Sequence, residues 1–468
     1  MKPMRIPLLL IAAVSAFAAD AKLTPEMQAV VNHVSSDSLR GHLSFLASDL
    51  LEGRATPSLG LDLAAEYIAA QFRRAHLEPA GDDQYFQTAM VTVREQNPSR
   101  FEMTVTAGDR IVRVDPGQTS ILPDKPIQLV NVPIIAVDGE ISAELASGKV
   151  ILLAGRERPP AIPSSAVLVL TQSQGVRPVV LDSEAPGRQG ALNIVASSEL
   201  VELLRNARDA RVTLHVEPSI ERTAKVRNVA GILRGSDSAL RDTYVMVTAH
   251  YDHLGMRATG EDKIFNGAND DGSGTVSVIE IASALAALDP HPKRSILFVT
   301  FFGEEIGLVG SRYYGRHPLE PLVNTIADLN LEQVGRTDDS EGPQVGTATV
   351  TGFDFSGLTD VLINAGALTG VKVYKNEQNS DPYFAFSDNQ PLADAGVPAH
   401  TLGIAFDFPD YHGVGDEWPK IDYQNMAKVD RMVAVGVLHL ASEAAPPKWN
   451  DSNPAVKKYV DAAKKLKQ

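Results

Sequence analysis

The stretch FNGANDDGSGTVSVIEIASALAAL, residues 265–288, joins a glycine-rich turn to a run of apolar residues with helical spacing. The turn carries two adjacent carboxylates, Asp270 and Asp271, which are flanked by Gly267 and Gly272. Two negative charges at the start of a helix are explained either by capping and the helix dipole or by a metal ion. The sequence on both sides of the turn decides between these explanations.

Apolar runs of strand length flank this stretch. TYVMVTAH (243–250) precedes it, and SILFVTFF (295–302) and TIADLNLE (325–332) follow it. Alternation of strands and helices predicts an α/β fold with a mostly parallel central sheet flanked by helices. In such sheets ligands bind beyond the carboxyl ends of the strands. We therefore expect the functional site where these apolar runs end.

The rest of the chain suggests further divisions. Residues 36–76 have helical apolar spacing, whereas residues 98–222 consist mainly of short β-rich runs separated by Pro and Gly. The β-rich region is predicted to be an inserted domain, which could cap the site, restrict substrate length or mediate pairing. The predicted divisions are a signal peptide (1–18), an N-terminal helical part (19–97), the β-rich insert (98–225), the catalytic domain (226–445) and a Lys-rich C-terminal tail (446–468).

The first residues and the composition indicate the compartment. Lys2 and Arg5 precede an apolar run over 6–14, and Ala16 and Ala18 form an A-x-A cleavage pattern. The run is shorter than the roughly 20 residues that span a bilayer, so we expect export to the periplasm or medium, with no membrane span after cleavage. The net charge of −15 argues against nucleic acid as a partner. Because the chain has no Cys, a metal site must use His and carboxylates.

Such residues follow each apolar strand run, so all of them could gather at one edge of the sheet. A site rich in carboxylates and imidazoles without sulfur suits zinc, with cobalt or manganese as alternatives. The number of ligands favours two ions roughly 3.5–4 Å apart over one. The candidates are His250, Asp252, His253, Asp270, Asp271, Glu304, Glu305, Glu332, His412 and Asp416.

Five ordered motifs resemble the clan MH co-catalytic di-zinc exopeptidases, the family of bacterial leucyl aminopeptidases and glutamate carboxypeptidase II. The motifs are HYDHLG (250–255), NGANDDGSG (266–274), FFGEEIGLVGS (301–311), NLE (330–332) and YHGVGDEWPKID (411–422). RNVAGILRG (227–235) and FSDNQPLADAGVP (386–398) are also similar to that family, and the insert resembles its protease-associated domain. The resemblance implies the zinc exopeptidase fold.

The resemblance also implies a role for each matching residue. Asp270 would bridge two zinc ions, with a peptide bond to Asp271 that is often cis in this family. Glu304 would be the general base that takes a proton from a metal-bridging water, and Asp252 would orient His250. Asp416 would orient His412. The remaining ligands would be His250 and Glu332 for one ion and Glu305 and His412 for the other.

The predicted function is an exported zinc aminopeptidase that acts on peptides with a free N-terminus. Alternatives are a carboxypeptidase or dipeptidase of the same clan, for which Arg312 or Arg336 could bind a substrate carboxylate, a single-zinc glutaminyl cyclase and a non-catalytic peptide-binding relative. We interpret His253 as a surface or hydrogen-bonded residue, and Gln333 as unsuited to a leucine pocket. The sequence leaves the oligomeric state open.

Overall fold

The computed structural model describes residues 22–137, 141–153, 166, 168–173, 179–182, 193–207, 209–257, 260–442 and 445–468. The predicted signal peptide lies outside the described residues. Among those residues, no helix is both long and apolar enough to cross a membrane. The α-helices are α1 (Pro25–His33), α2 (Ser36–Leu46), α3 (Leu59–Arg74), α4 (Ala143–Ala146), α5 (Ser198–Arg205), α6 (Gly274–Ala286), α7 (Val309–Arg316), α8 (Leu358–Thr369), α9 (Asn389–Asp394), α10 (Tyr423–Ser442) and α11 (Lys457–Leu466).

The strands alternate with these helices in the second half of the chain and dominate residues 86–233. The first strands are β1 (Glu78–Pro79), β2 (Phe86–Glu95), β3 (Phe101–Ala107), β4 (Arg110–Val114), β5 (Thr119–Ile121), β6 (Ile127–Val137), β7 (Val150–Leu153), β8 (Leu168–Ser173), β9 (Val179–Asp182), β10 (Asn193–Ser197) and β11 (Arg211–Val216). The others are β12 (Ile220–Leu233), β13 (Tyr244–His250), β14 (Gly255–Met256), β15 (Ile264–Phe265), β16 (Ser295–Phe301), β17 (Thr325–Leu331), β18 (Asp338–Asp339), β19 (Gly342–Pro343), β20 (Thr347–Val350), β21 (Lys372–Tyr374) and β22 (Ala399–Gly403).

A ten-stranded sheet forms the centre of the molecule, in the order β21-β20-β22-β17-β13-β16-β12-β2-β9, with β1 paired to β12. Its middle strands β22, β17, β13 and β16 are parallel to one another, as the alternating sequence pattern predicts. Towards β9 the pairs β16–β12, β12–β2 and β2–β9 are antiparallel. The predicted fold class, α/β with a mostly parallel central sheet, is confirmed, and the antiparallel strands lie at its flanks.

Both faces of the central sheet are covered. Along β13, Val245, Val247 and Ala249 belong to one apolar core, which also contains residues of α1, α2, α3, α6, α8 and α10. The alternate residues Tyr244 and Met246 belong to a second core, which contains residues of α7, α9 and α11. This alternation follows from the two-residue period of a strand, and burial on both faces explains why the strand runs are continuously apolar.

The β-rich region forms a second sheet of eight strands in the order β4-β3-β11-β6-β7-β8-β10-β5. Its own apolar core includes Met103, Val105, Val212 and Leu214, which alternate along the antiparallel pair β3–β11. The chain leaves the central sheet after β2 and returns on β12, where Glu95 pairs with Ile220. One strand of the region, β9, pairs with β2 in the central sheet instead.

The Lys-rich C-terminal tail is a packed helix rather than a frayed end. Val456 and Tyr459 are buried, and the ring of Tyr459 stacks on Trp449 with a centroid distance of 4.9 Å. The apolar residues of α11 follow helical spacing, which places them on one face against α9. The lysines of this helix are exposed, as expected for an amphipathic surface helix.

Candidate functional site

The carboxyl ends of β13, β16 and β17 carry the predicted site residues. His250 is the last residue of β13, Glu304 follows β16 and Glu332 follows β17. The turn before α6 brings Asp270 to within 3.4 Å of His250, measured from Oδ1 to Nε2. The loop after β22 brings His412 to the same carboxylate, with Nε2 3.1 Å from Oδ2. Residues separated by about 160 positions in sequence therefore meet at one edge of the sheet.

Two groups of ligand atoms adjoin at Asp270. One contains His250, Asp270 and Glu332, and the other contains His253, Asp270 and Glu305; within each group the ligand atoms lie within 4.8 Å of one another. The Nε2 atom of His412 also lies 3.3 Å from Oε2 of Glu305. The second group therefore has two imidazoles beside the same pair of carboxylates.

His253 lies inside the site and not at the surface. It is 1% exposed, and its Nδ1 lies 2.6 Å from Oε1 of Glu305. The ring fits because Gly267 has no side chain: a Cβ on Gly267 would lie 2.4 Å from His253 Cγ, and its φ of +56° favours glycine. The interpretation of His253 as a surface or satisfied residue is therefore wrong, since its neighbours come from the distant turn.

Several buried atoms of these residues form no hydrogen bond of acceptable geometry with a described residue, although some of them lie close to an opposite charge. They are Nε2 of His250, both ring nitrogens of His253, Oδ2 of Asp270 and Oε1 of Glu305. Unpartnered buried polar atoms are uncommon, because each costs its desolvation free energy. Nitrogen and carboxylate oxygen donors are those that zinc prefers. The donor set and its unpartnered atoms thus fit divalent cations.

The carboxylates of the site differ in their protonation. Burial raises the pKa of Glu304 and of Asp271 well above the ordinary range. Burial also favours neutral Asp270, but the imidazoles of His250 and His412 outweigh it and hold its pKa well below the usual value. Burial and Asp270 favour the neutral form of Glu305, yet the His253 and His412 rings lower its pKa to about 2. Asp270 and Glu305 therefore present lasting negative charge.

Asp271 organises the backbone around the site. Its Oδ1 accepts hydrogen bonds from the N–H groups of Gly274, at 2.9 Å, and Gln333, at 3.2 Å. Its Oδ2 accepts one from the N–H of His250 at 3.3 Å. The peptide bond between Asp270 and Asp271 is cis. Asp271 therefore ties the start of α6 to the ends of β13 and β17, whereas Asp270 points its carboxylate at the imidazoles.

Asp252 and Asp416 contact different partners. Oδ1 of Asp252 lies 3.5 Å from Nδ1 of His250 and accepts a hydrogen bond from the N–H of Glu304 at 3.1 Å. Asp416 instead accepts hydrogen bonds from the N–H groups of Asn269 and Asp270, both at 3.0 Å to Oδ2. The expectation that Asp416 orients His412 is therefore replaced by a role in capping the turn, because the turn exposes N–H groups that need an acceptor.

Two positioning residues were missed by the sequence analysis. The guanidinium of Arg54 is buried and donates to the backbone carbonyls of Leu46, Tyr251, Asn266 and Gly267. Burial lowers the pKa of Arg54 to about 10, while nearby aspartates, Asp252 first, oppose the shift. The sequence around Arg54, LEGR (51–54), is equally typical of an exposed turn, so it does not indicate a buried arginine.

The hydroxyl of Ser387 donates a hydrogen bond to Oε2 of Glu332. Ser387 in turn accepts a hydrogen bond from Nδ2 of Asn330 at 2.8 Å, and Asn330 Oδ1 accepts one from Thr248 at 3.1 Å. This chain of polar groups runs from the middle of the sheet to the candidate ligand Glu332. Ser387 lies in the FSDNQPLADAGVP stretch, which the sequence analysis singled out without assigning roles.

Residues 228–437 match the family profile described as Peptidase family M28, and this range contains every predicted ligand and catalytic residue. The chain contains a Peptidase family M28 domain. Aminopeptidase YwaD of Bacillus subtilis is 30% identical over 174 residues, which are 37% of this chain and 34% of that protein. A probable zinc metalloprotease of Pyrenophora teres f. teres is 32% identical over 117 residues, 25% of this chain and 24% of that protein. The matched segments thus span about a quarter to a third of these relatives.

Solved structures show the same fold over most of the chain. The aminopeptidase from Aneurinibacillus sp. strain AM-1 superposes with a TM-score of 0.61 and 19% identity, covering 90% of this chain and 97% of that one. The zinc aminopeptidase BSAP from Bacillus subtilis gives 0.61 and 19%, covering 88% and 96%. The M28 domain and its surroundings therefore have an aminopeptidase-type fold, in agreement with the resemblance found in the sequence.

Proposed function

We propose that this M28 protein is a zinc-dependent aminopeptidase that removes single residues from the free N-termini of peptides. The observation that carries the proposal is the pair of ligand groups that share Asp270, with Glu304 beside them. The names of the relatives, zinc metalloprotease and aminopeptidase, support the same class of activity.

Two zinc ions fit the donor set. His250, Asp270 and Glu332 would hold one, and Asp270 and Glu305 with His412 or His253 would hold the other. When bound, zinc polarises a carbonyl and lowers the pKa of water. Asp270 and Glu305 are ionised because protonated imidazoles lie beside them, so a bound cation would release protons from these imidazoles and not from the carboxylates.

Glu304 is the residue placed to move protons. Its Oε2 lies 3.9 Å from Nε2 of His250, and its side chain keeps 14% of its surface accessible, so it faces the site from the solvent side. Glu304 would accept a proton from the attacking water and pass it to the leaving amine. Asp252 holds the backbone N–H of Glu304 and faces the far side of the His250 ring, so one carboxylate orients both groups.

The arginines near the site favour a substrate amine over a substrate carboxylate. Bound zinc ions would offset much of the charge of the ligand carboxylates, so the distinction depends on whether an arginine is placed to bind a substrate carboxylate. Arg336, one candidate for binding a carboxylate, already donates to Asp338 and Asp410 at 2.6–2.9 Å. Arg312, the other candidate, is exposed on α7. This arrangement supports the aminopeptidase over the carboxypeptidase alternative.

Product analysis by mass spectrometry tests the proposal. The purified protein, loaded with zinc, would be incubated with a peptide pool, half of it N-terminally acetylated. We expect loss of single N-terminal residues from the unblocked peptides alone. Trimming from C-termini would support the carboxypeptidase alternative, and intact peptides in the presence of bound zinc would contradict the aminopeptidase proposal.

We also propose that the protein is exported. The basic start, the apolar run over 6–14 and the A-x-A pattern ending at Ala18 support this. Fractionation of cells followed by N-terminal sequencing tests it, with mature protein beginning at Ala19 outside the cytoplasm as the expected result. Uncleaved protein in the cytoplasmic fraction would contradict export.

A further inference from the structure

A cavity of about 470 Å³ lies at the opposite edge of the central sheet, between α11 and the amino ends of β13 and β17. Thr243, immediately before β13, and Thr325, the first residue of β17, line it from the sheet. Each of these strands has seven residues, so about 20 Å of strand separates the cavity from the candidate zinc site. The cavity is therefore a separate site, and its volume is within the range of about 300–1,000 Å³ that is typical of small-molecule pockets.

The walls of the cavity are mainly apolar. The indole of Trp449 is fixed there, because its Nε1 donates to the carbonyl of Gly396 at 3.0 Å and its ring stacks on Tyr459. Residues of α11 form the facing wall. The apolar lining residues are Val323, Ile326, Pro398, Pro446, Pro447, Trp449, Val460, Ala463 and Leu466. Such walls release water when an apolar chain enters.

The cavity has few polar groups, and most of the charged side chains at its rim are lysines. Lys448, Lys464 and Lys467 line the cavity and are exposed, and none of them forms an ion pair with a described carboxylate. The only lining carboxylate among the described residues is Asp451. Other lysines of α11 are engaged: Lys457 pairs with Asp461. A net positive rim is notable in a chain whose net charge is −15.

The wall formed by the sheet holds an unpartnered hydroxyl. Thr325 is 5% exposed, and its Oγ1 has no hydrogen-bond partner among the described residues. The hydroxyl of Thr243, by contrast, donates to the carbonyl of Leu240 at 2.6 Å. A buried hydroxyl without a partner carries a desolvation cost that a bound molecule or water would remove.

We propose that this cavity binds a single-chain amphiphilic carboxylate, with its alkyl chain along Trp449 and α11 and its carboxylate among the three lysines. Burial of the alkyl chain against the apolar wall is favourable, and the lysine ammonium groups would form charge-assisted hydrogen bonds with the carboxylate head group. The ligand would contact both α11 and the amino ends of β13 and β17, and so would hold the helix against the sheet. It would therefore stabilise the C-terminal helix without touching the candidate zinc site.

Decanoate, below its micellar concentration, is the probe. The chain has two tryptophans, so a Trp418→Phe variant leaves Trp449 as the only one and makes its fluorescence report on the cavity. We expect saturable binding of decanoate by calorimetry, a shift of Trp449 emission and a higher Tm. Decanol and butyrate, which lack the charge and the chain respectively, should bind at least about tenfold more weakly. These measurements do not depend on peptide hydrolysis, so their outcome tests the cavity proposal independently of the aminopeptidase proposal.

Two variants locate the binding. Lys464→Gln with Lys467→Gln should weaken decanoate binding by about tenfold, because two of the three ammonium groups that face the carboxylate are removed. Ala463→Phe should fill the cavity and abolish binding. The lysine variant changes only exposed side chains, so it remains informative if Ala463→Phe does not fold. No saturable binding of decanoate, equal binding of decanol, or unchanged binding in the lysine variant would each overturn the proposal.

Discussion

The two ends of the same parallel strands have opposite chemistry. At the carboxyl ends of β13 and β17, buried carboxylates and imidazoles converge, with His250 and Asp270 both at most 2% exposed. At the amino ends, apolar walls and exposed lysines surround a cavity. The strands themselves are almost wholly buried and separate the two edges. At the carboxyl edge the loops supply His and carboxylate side chains, whereas at the amino edge α11 and the segment before it supply mainly apolar ones.

The largest expected effect comes from Glu304→Gln at the carboxyl edge. We expect turnover of unblocked peptides to fall by about 10²–10⁴-fold, because the amide cannot accept the proton. Zinc content, measured by mass spectrometry of the metal, should stay that of the unchanged protein, since Glu304 belongs to neither ligand group. Glu144→Gln, on the exposed helix α4, is the matched control. Normal turnover in Glu304→Gln would remove the basis for the general-base assignment.

A second prediction compares His253 and His412, the two imidazoles beside Glu305, as zinc ligands. We expect His412→Ala to lower bound zinc from about two ions to about one, because its Nε2 lies near both Asp270 and Glu305. His253→Ala should retain more zinc, since His253 approaches Glu305 closely but lies 4.0 Å from Asp270. Zinc titration of both variants measures this. The reverse order would assign the ligand role to His253.

A smaller effect is expected from the polar chain beneath Glu332. Ser387→Ala should lower zinc affinity by about 10–100-fold, the usual consequence of removing a group that orients a metal ligand. Ser356→Ala is the matched control, because Ser356 is similarly buried and bonds His400 at 2.7 Å, away from the candidate ligands. Competition with a zinc chelator gives the affinities. Equal loss in both variants would show that Ser387 acts through stability alone.

The smallest effect concerns a buried carboxylate at neither edge. Asp430, on α10, is fully buried, and burial raises its pKa to about 8. Because the folded state then holds a proton that the unfolded chain releases above about pH 4, this group lowers stability progressively as the pH rises from about 4 to 8. Asp430→Asn should therefore raise Tm by a few degrees at pH 8 and by little at pH 5. Thermal unfolding at both pH values is the measurement, and a pH-independent difference would contradict it.

The sequence predicted those parts of the molecule that depend on a local pattern of apolar and polar residues. Continuous apolar runs predicted the buried parallel strands, and polar residues at their ends predicted the edge where His250 and Glu332 meet. His253, Arg54 and Ser387 could not be placed in this way, because their partners come from distant loops. Arg54 lies about 200 positions from the carbonyls of Tyr251 and Gly267 that it binds. No local pattern encodes such contacts.

Asp416 illustrates the same limit within a recognised motif. The family resemblance implied that Asp416 orients His412, whereas the structure pairs Asp416 with backbone N–H groups of the turn before α6. The carboxylate of Asp416 accepts hydrogen bonds from the buried N–H groups of Asn269 and Asp270. His412 and Asp416, four positions apart in one loop, therefore contact different parts of the site: His412 the Asp270 carboxylate, and Asp416 the backbone of the turn.

Arg54 sets a limit on how this protein can be divided. The β-rich region leaves and re-enters the central sheet at the paired residues Glu95 and Ile220, so its loss or exchange would leave a hairpin-like junction. The N-terminal helices have no such freedom, since Arg54 satisfies carbonyl groups of Tyr251, Asn266 and Gly267 inside the M28 domain. A fragment confined to residues 228–437 would leave those carbonyls without their donor. The domain therefore needs the N-terminal segment for its internal hydrogen bonds, whereas the β-rich region joins the central sheet at the Glu95–Ile220 junction and through the pairing of β9 with β2.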